Sequence, residues 1–157
     1  MVVDVVSVMK GKVIKMQQNQ QKILELIELA TQARENAYVP YSNYMVGAAL
    51  LAKSGKIYTG CNIESCSYTP TTCAERVALV KAVSEGEREF SMIAVIGGPK
   101  SGIDPNAPEA APCGVCRQFL YEFGTDILII CAKASDSYYT KTISEMLPHG
   151  FGPSHLQ

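Results

Sequence analysis

The sequence predicts a single α/β domain in which helices pack on a mixed β-sheet. Strand-like segments alternate with segments of helical periodicity, and this alternation is typical of α/β layer structures. One strand pair near the start and another near the end are joined by short turns, which makes the sheet mixed rather than purely parallel. The 157 residues fit one domain with its own core, and no repeat or linker divides them.

The first predicted element is a helix from Gln18 to Tyr38, where apolar residues recur at spacings of three and four. Pro40 ends this helix, because the residue before a proline avoids the helical region. A hairpin follows. Val46 to Ala52 is a short apolar strand, residues 53–56 form the turn, and Ile57 to Thr59 form the returning strand.

The second predicted helix runs from Cys73 to Ser84, with Gly86 near its C-terminus. Residues 99–111 contain three prolines and a glycine, which predict an irregular loop. The remaining predicted elements are a buried strand, a helix, two further strands and a short helix-like turn: Met92–Ile96, Cys113–Gly124, Ile127–Ala132, Tyr138–Ile143 and Ser144–Leu147.

Composition excludes several classes of partner. Fourteen basic residues against fifteen acidic ones give a net charge of −1, so the basic excess that binds long nucleic acid is missing. No polybasic segment or long apolar run predicts membrane binding. Residues 1–21 form a predicted N-terminal extension whose order of basic and apolar residues is wrong for a signal peptide. The six cysteines are therefore predicted to be reduced thiols of a cytoplasmic protein.

Three cysteines stand at predicted helix starts. Cys73 begins one helix, and Cys113 and Cys116 lie in the first turn of another. Helix N-termini stabilise thiolates, so three thiolates that converge would bind zinc and leave one tetrahedral position for water. Two alternatives remain open for these residues. The C-x-x-C pair alone is also typical of a redox pair, and a fourth ligand would make the zinc site structural, the candidates being Cys61, Cys66, Cys131, His149 and His155.

A glutamate accompanies the first of these cysteines. Glu75 follows Cys73 by two residues and so lies in the first turn of the same predicted helix. A carboxylate there can take a proton from metal-bound water and deliver it to a substrate. Taken alone, an acidic residue in a first turn also complements the helix dipole. Together with the three cysteines it matches a zinc deaminase arrangement, in which the glutamate is not a ligand.

With these residues in this order, the sequence resembles the small cytidine deaminases. The resemblance covers residues 22–157, the predicted deaminase domain, and rests on the segments PYSNYMVGAALL (40–51), GCNIES (60–65), TCAERVALVKAVSEG (72–86), PCGVCRQFLYEFGT (112–125) and LPHGFGPSHLQ (147–157). It implies a three-layer α-β-α sandwich around a mixed five-stranded sheet, one Zn²⁺ per chain and a homotetramer with shared active sites. It also implies hydrolysis of cytidine and 2′-deoxycytidine to the uridine nucleosides and ammonia.

The resemblance also assigns residues. Cys73, Cys113 and Cys116 match the zinc ligands, Glu75 matches the proton shuttle, and Ala74 matches a position whose backbone contacts the base. Asn62 and Glu64 match the residues that hold the ribose 3′-hydroxyl. The loop that lines the sugar site corresponds to Asn62, Ile63, Glu64, Ser65, Cys66, Ser67 and Tyr68. Phe151 matches an aromatic residue that reaches into the site of a neighbouring subunit.

Three positions need separate comment. Tyr44 occupies a base-packing position that is usually Phe, and Ser65 stands where Asn is common. Arg76 is predicted to hydrogen-bond a thiolate and offset the negative charge of three thiolates on Zn²⁺, although a surface ion pair is the alternative. Three other functions remain open: a deaminase acting on polynucleotides, a deaminase of a nucleoside antibiotic, and a non-catalytic structural zinc module.

Overall fold

The computed structural model describes residues 5–156 and, within them, the side chains of residues 13, 14 and 16–156. In this part of the chain five strands form one sheet in the order β2-β1-β3-β4-β5. Strands β3 and β4 are parallel, and the other neighbouring pairs are antiparallel. The elements in chain order are α1 Val5–Arg34, β1 Tyr44–Ala52, β2 Ile57–Cys61, α2 Ala74–Ser84, β3 Phe90–Pro99, α3 Gly114–Tyr121, β4 Leu128–Ala134, β5 Ser137–Thr142 and α4 Ile143–Met146, followed by a 3-10 turn at Pro153–His155.

The helices cover both faces of the sheet, which confirms the predicted three-layer sandwich with a mixed five-stranded sheet. Helix α1 packs on one face, through a cluster that comprises Ile23, Leu26, Ile27, Ala30, Ala49, Leu51, Ala94, Ile96, Ile130 and Ala132. Helices α2, α3 and α4 lie on the opposite face, where the buried side chains include Leu50, Tyr58, Leu79, Phe90, Ile93, Leu120, Ile127, Ile129 and Ile143. Among the helices of the described residues, none combines the length and hydrophobicity needed to span a membrane.

The predicted limits of the first helix were wrong at both ends. Helix α1 begins at Val5 instead of Gln18, so the Val-rich segment continues the helix despite its low helix propensity. It ends at Arg34 instead of Tyr38, because the Tyr38 backbone pairs with residues 62 and 64. The boundary predicted between residues 21 and 22 therefore falls inside α1, and residues 1–4 lie outside the described part of the chain.

Two glycines allow the helices to lie close to the sheet. A Cβ atom added to Gly47 of β1 would lie 1.9 Å from the carbonyl oxygen of Ala30 in α1. On the other face, a Cβ atom on Gly60 of β2 would lie 2.5 Å from the carbonyl oxygen of Ala74 in α2. Neither distance is compatible with a side chain, so glycine at these positions sets how closely the layers pack.

The topology places two helix N-termini at one edge of the sheet. Helix α3 joins β3 to the parallel strand β4 and therefore begins at the edge where β3 ends. Helix α2 leads into the start of β3, so it also begins at that edge. In α/β sheets this edge is the usual location of ligand sites.

Candidate active site

Three cysteine side chains meet where α2 and α3 begin. Cys73 and Cys113 are the residues that immediately precede the first turns of α2 and α3. Their sulfur atoms are 3.8 Å apart, and the sulfur of Cys116 lies 3.5 Å from that of Cys113. All three sulfur atoms lie within 4.8 Å of one another. The structure therefore brings together the three cysteines that the sequence predicts as metal ligands.

The donor set of this cluster fits zinc. Ligands at about 2.3 Å from Zn²⁺ in a tetrahedron lie about 3.8 Å from one another, close to the sulfur separations in this cluster. Thiolates are donors that zinc prefers, and the backbone amides at two helix starts stabilise their negative charge. Within the described part of the chain, no further histidine, cysteine or carboxylate belongs to the cluster. Three protein ligands are typical of a catalytic zinc site rather than a structural one.

The thiols of the cluster interact strongly with one another. The pKa of the Cys73 thiol is lowered to about 5, mainly by a hydrogen bond from Cys116. Burial opposes this shift, and Cys113 and Arg76 add to it. The same interaction with Cys73, together with burial, raises the pKa of the Cys116 thiol. One thiolate therefore forms readily at the start of α2, which is the ionisation state that metal binding requires.

Glu75 lies beside the thiol cluster in the first turn of α2. It is only 4% exposed, and burial raises the pKa of its carboxyl group to about 7. A carboxyl group with a pKa near the working pH can both accept and release a proton. Glu75 is not part of the thiol cluster. Its side chain lines a cavity, so a small molecule bound there can reach it.

A cavity of about 320 Å³ opens in front of the thiol cluster. Seven of the predicted site residues line it, and they are Tyr44, Asn62, Glu64, Cys73, Ala74, Glu75 and Cys113. The other lining residues were not predicted from the sequence, and they are Val46, Thr71, Thr72, Val95, Pro108, Glu109, Ala110 and Ala111. Four of these, Pro108 to Ala111, belong to the proline-rich loop that directly precedes Cys113. Because Cys113 is a predicted metal ligand, the position of this loop in the sequence could have indicated that it lines the site.

One wall of the cavity is formed by the start of β1. Tyr44 is 41% exposed and lines the cavity, and a Cβ atom on Gly97 would lie 3.1 Å from its ring. Asn62 fixes this wall with its side-chain amide, which donates to the Tyr44 carbonyl at 2.9 Å and accepts from the Val46 N–H at 2.8 Å. Asn62 therefore holds the β1 backbone in addition to facing the cavity.

Glu64 faces the same cavity and organises the segment before β1. Its Oε2 atom accepts hydrogen bonds from the N–H groups of Tyr41 and Ser42, at 2.9 and 3.2 Å. A hydrogen bond from the Ser42 side chain, with these two backbone bonds, lowers the pKa of Glu64 despite some opposing desolvation. The carboxylate is therefore ionised at neutral pH.

The rest of the predicted sugar loop lies beside this cavity rather than in it. Tyr68 lines a neighbouring cavity of about 300 Å³, which shares Glu64 and Thr71 with the first. Ile63 pairs through its backbone with Tyr38 and Thr72. Three further loop residues line neither cavity, and they are Ser65, Cys66 and Ser67.

Phe151 does not line the cavity of its own chain. Its ring is 57% exposed and stacks on His155, with ring centroids 5.0 Å apart. The carbonyl of Phe151 accepts a hydrogen bond of 2.7 Å from Gln118 of α3. The aromatic ring is thus held on the outside of the protein.

Arg76 lies behind the thiol cluster. One of its terminal nitrogens donates to the Thr71 carbonyl at 2.7 Å. Its Nε atom is buried and has no hydrogen-bond partner among the described residues. The Arg76 guanidinium contributes to the lowered pKa of Cys73, after the two cysteine thiols, so it lies close enough to interact with this thiol.

Comparison with known proteins identifies relatives over most of the chain. Residues 20–132 match the family described as the cytidine and deoxycytidylate deaminase zinc-binding region. A cytidine deaminase of Sporosarcina psychrophila is 43% identical over 133 residues, which cover 84% of this chain and 93% of the relative. Blasticidin-S deaminase of Bacillus cereus is 32% identical, covering 82% and 91% of the two chains. The crystal structure of cytidine deaminase from Burkholderia pseudomallei superposes with a TM-score of 0.73 at 40% identity, covering 81% of this chain and 97% of that one.

Proposed function

Since the chain belongs to the cytidine and deoxycytidylate deaminase family, we propose that it converts cytidine and 2′-deoxycytidine to uridine and 2′-deoxyuridine with release of ammonia. The observation that carries this proposal is the position of Glu75. A buried carboxyl group with a pKa of about 7 adjoins three converging thiols and faces a cavity of about 320 Å³. These are the parts that a hydrolytic deaminase requires.

Cys73, Cys113 and Cys116 hold one zinc ion in this proposal, with the N-termini of α2 and α3 stabilising their thiolate charge. When bound, the metal supplies the Lewis acidity that lets a water molecule ionise near neutral pH. Arg76 offsets part of the negative charge of the three thiolates, because its guanidinium lies close to Cys73.

Glu75 moves the protons of the reaction. Its carboxylate takes a proton from the attacking water and delivers it to N3 of the cytosine ring as the water oxygen adds to C4. It then transfers the second proton of the water to the exocyclic nitrogen. The bond between C4 and that nitrogen breaks, ammonia leaves, and C4 keeps the oxygen as a carbonyl. The raised pKa of Glu75 suits a group that must accept and release protons in turn.

The lining of the cavity binds the nucleoside in this proposal. Tyr44 packs on the base, and the Ala74 backbone contacts it. Asn62 uses one side-chain N–H for the Tyr44 carbonyl, which leaves the other for the ribose 3′-hydroxyl. The Oε2 atom of Glu64 accepts from the N–H groups of Tyr41 and Ser42. Its Oε1 atom takes no part in these two bonds, so it accepts a hydrogen bond from the ribose 3′-hydroxyl. This pair favours a nucleoside over a free base.

Four copies of the chain share their sites in the proposed assembly. Phe151 is exposed and held by Gln118 away from its own cavity, so it is available to a neighbouring copy. In this assembly the loop residues Ser65 to Tyr68 would line the sugar site. We propose a cytoplasmic location, where the three thiols that bind zinc in this proposal stay reduced.

Deamination of a nucleoside antibiotic is a second candidate function. The observation that favours it is the 32% identity to blasticidin-S deaminase over most of the chain. The two candidates differ in the group attached to the cytosine, and the 3′-hydroxyl partners Asn62 and Glu64 support the ordinary nucleoside.

An ultraviolet assay for loss of the cytosine chromophore tests the proposal, with zinc measured on the same sample. Cytidine, deoxycytidine, deoxycytidylate and blasticidin S serve as parallel substrates. We expect turnover of the two nucleosides in proportion to zinc content. Turnover of blasticidin S alone would favour the second candidate, and a zinc-loaded protein that acts on none of the four would contradict both.

A further inference from the structure

Arg34, the last residue of α1, is a buried cation outside the thiol cluster. It is only 6% exposed, and its guanidinium binds backbone carbonyls from two strands. Nε donates to Met45 of β1 at 3.1 Å, and Nη2 donates to Gly98 and Pro99 of β3 at 3.0 and 2.8 Å. Charge-assisted bonds of this kind are the stronger class of hydrogen bond.

The two strands that Arg34 joins both lead into the wall of the cavity. Met45 lies between Tyr44 and Val46, whose side chains face away from α1 because neighbouring strand residues point to opposite faces. Pro99 begins the loop whose final residues, Pro108 to Ala111, form another part of that wall. Arg34 thus holds the backbone behind two wall segments without itself lining the cavity.

We infer that Arg34 is a positioning residue for the substrate cavity. It fixes the spacing between the β1 segment that carries Tyr44 and the end of β3, and so sets the width of the slot for the base. The ladder between β1 and β3 ends at the pair Tyr44 and Pro99, and beyond it a backbone bond of 2.7 Å from the Lys100 N–H to the Asn43 carbonyl joins the two segments, so Arg34 adds to a short run of pairs at the strand ends. This inference rests on the proposed function, because it concerns how the nucleoside is bound.

Kinetics distinguish positioning from a purely structural role. A residue that only stabilises the fold lowers the active fraction when it is replaced, and this reduces apparent kcat at constant KM. A residue that positions the wall raises KM while the chemistry at Glu75 and the zinc content stay intact. The two effects are therefore separable in one set of measurements.

The experiment compares wild-type protein with Arg34→Gln, Arg34→Lys and the control Glu35→Gln. Glu35 forms an ion pair of 3.1 Å with Arg34, but its side chain is 66% exposed and its carboxylate only accepts hydrogen bonds, so it does not hold the wall carbonyls. Zinc content and Tm are measured for each protein. The kcat and KM for cytidine are then measured at a temperature well below the lowest Tm. We expect Arg34→Gln to raise KM about tenfold, the factor for one or two lost hydrogen bonds, with kcat within about twofold.

Arg34→Lys should give an intermediate KM, about threefold above wild type, because a single ammonium group does not reproduce the planar fork across two strands. This variant decides the question if Arg34→Gln does not fold. Glu35→Gln should match wild type. Unchanged KM in both folded Arg34 variants, or in Arg34→Lys alone if it is the only one that folds, would overturn the inference. If wild-type protein has no deaminase activity, the proposed function fails instead.

Discussion

The sulfur atoms of Cys73 and Cys113 lie 3.8 Å apart, although 40 positions separate these residues in the sequence. The distance is short because α2 and α3 both begin at the edge where β3 ends. Each cysteine precedes the first turn of its helix, so both thiols lie among unpaired backbone amides. The topology of the sheet therefore brings together thiols that the local sequence places at two separate helix starts.

The purified protein should contain one zinc per chain, bound by three cysteines. Cys113→Ser should lose most of the metal, because a hydroxyl is a poorer zinc ligand than a thiolate. Cys66→Ser is the matched control, since Cys66 is exposed and outside the thiol cluster. Metal analysis by mass spectrometry checks both variants. Equal zinc loss in the two variants, or zinc retained by Cys113→Ser, would contradict the assigned ligands.

Glu75→Gln should keep its zinc and its fold but lose nearly all turnover. The amide has almost the same shape as the carboxyl group, but it does not carry a proton between water and substrate. The expected loss in kcat is about 10² to 10⁴-fold, or about 3 to 5 kcal/mol. Glu85→Gln, at the exposed far end of α2, is the control and should remain active. Near-normal activity of Glu75→Gln would place the catalytic base elsewhere.

Most of the fold could be predicted because it depends on local patterns. Periodicity and turn residues located the strands and helices in their correct order, and the hairpins indicated a mixed sheet. The C-terminal limit of α1 could not be predicted, since it depends on contacts with distant residues. The backbone of Tyr38 leaves the helix to pair with Asn62 and Glu64, and this competition is invisible in the sequence around Pro40.

The thiol cluster and Glu75 could be predicted because they occupy short motifs at helix starts. The eight cavity-lining residues outside the predicted set could not, because they come from four separate segments that meet only in the folded chain. Asn62 illustrates the difference. The resemblance assigns it to ribose binding, but its side chain also bonds the Tyr44 carbonyl and the Val46 N–H of β1, a role that only the three-dimensional arrangement reveals.

Glu64 should make stability depend on pH in the acidic range. Its folded pKa is lowered from the ordinary value of 4.5, so its contribution is present above that value and is lost as pH falls through the folded pKa. The Tm difference between wild type and Glu64→Gln should therefore be largest above pH 5 and shrink in more acidic buffer. Thermal unfolding across the pH range measures it. A difference that grows on acidification would contradict the hydrogen bonds assigned to this carboxylate.

Gly47→Ala should destabilise the protein, because the new Cβ atom would lie 1.9 Å from the Ala30 carbonyl oxygen. Helix α1 would have to move away from β1, and overpacking of this kind costs about 1–3 kcal/mol or more. Gly114→Ala is the control, since a Cβ atom there meets no atom within 4 Å and the backbone is helical. Denaturant unfolding compares the two variants. Equal stability would show that α1 lies farther from the sheet.

Phe151→Ala should weaken substrate binding without removing zinc. The ring is exposed and lies outside its own cavity, and Gln118 bonds the Phe151 carbonyl, so in the proposed assembly its substrate contact comes through a neighbouring copy. Loss of a complete stacking contact costs about 1 to 3 kcal/mol, which predicts a KM increase of about 5- to 150-fold. Leu156→Ala is the control, because Leu156 is 79% exposed in the same tail but is not aromatic. Light scattering alongside kinetics gives the oligomeric state at the assay concentration. A fully active monomer would refute the shared site, even if the zinc chemistry proved correct.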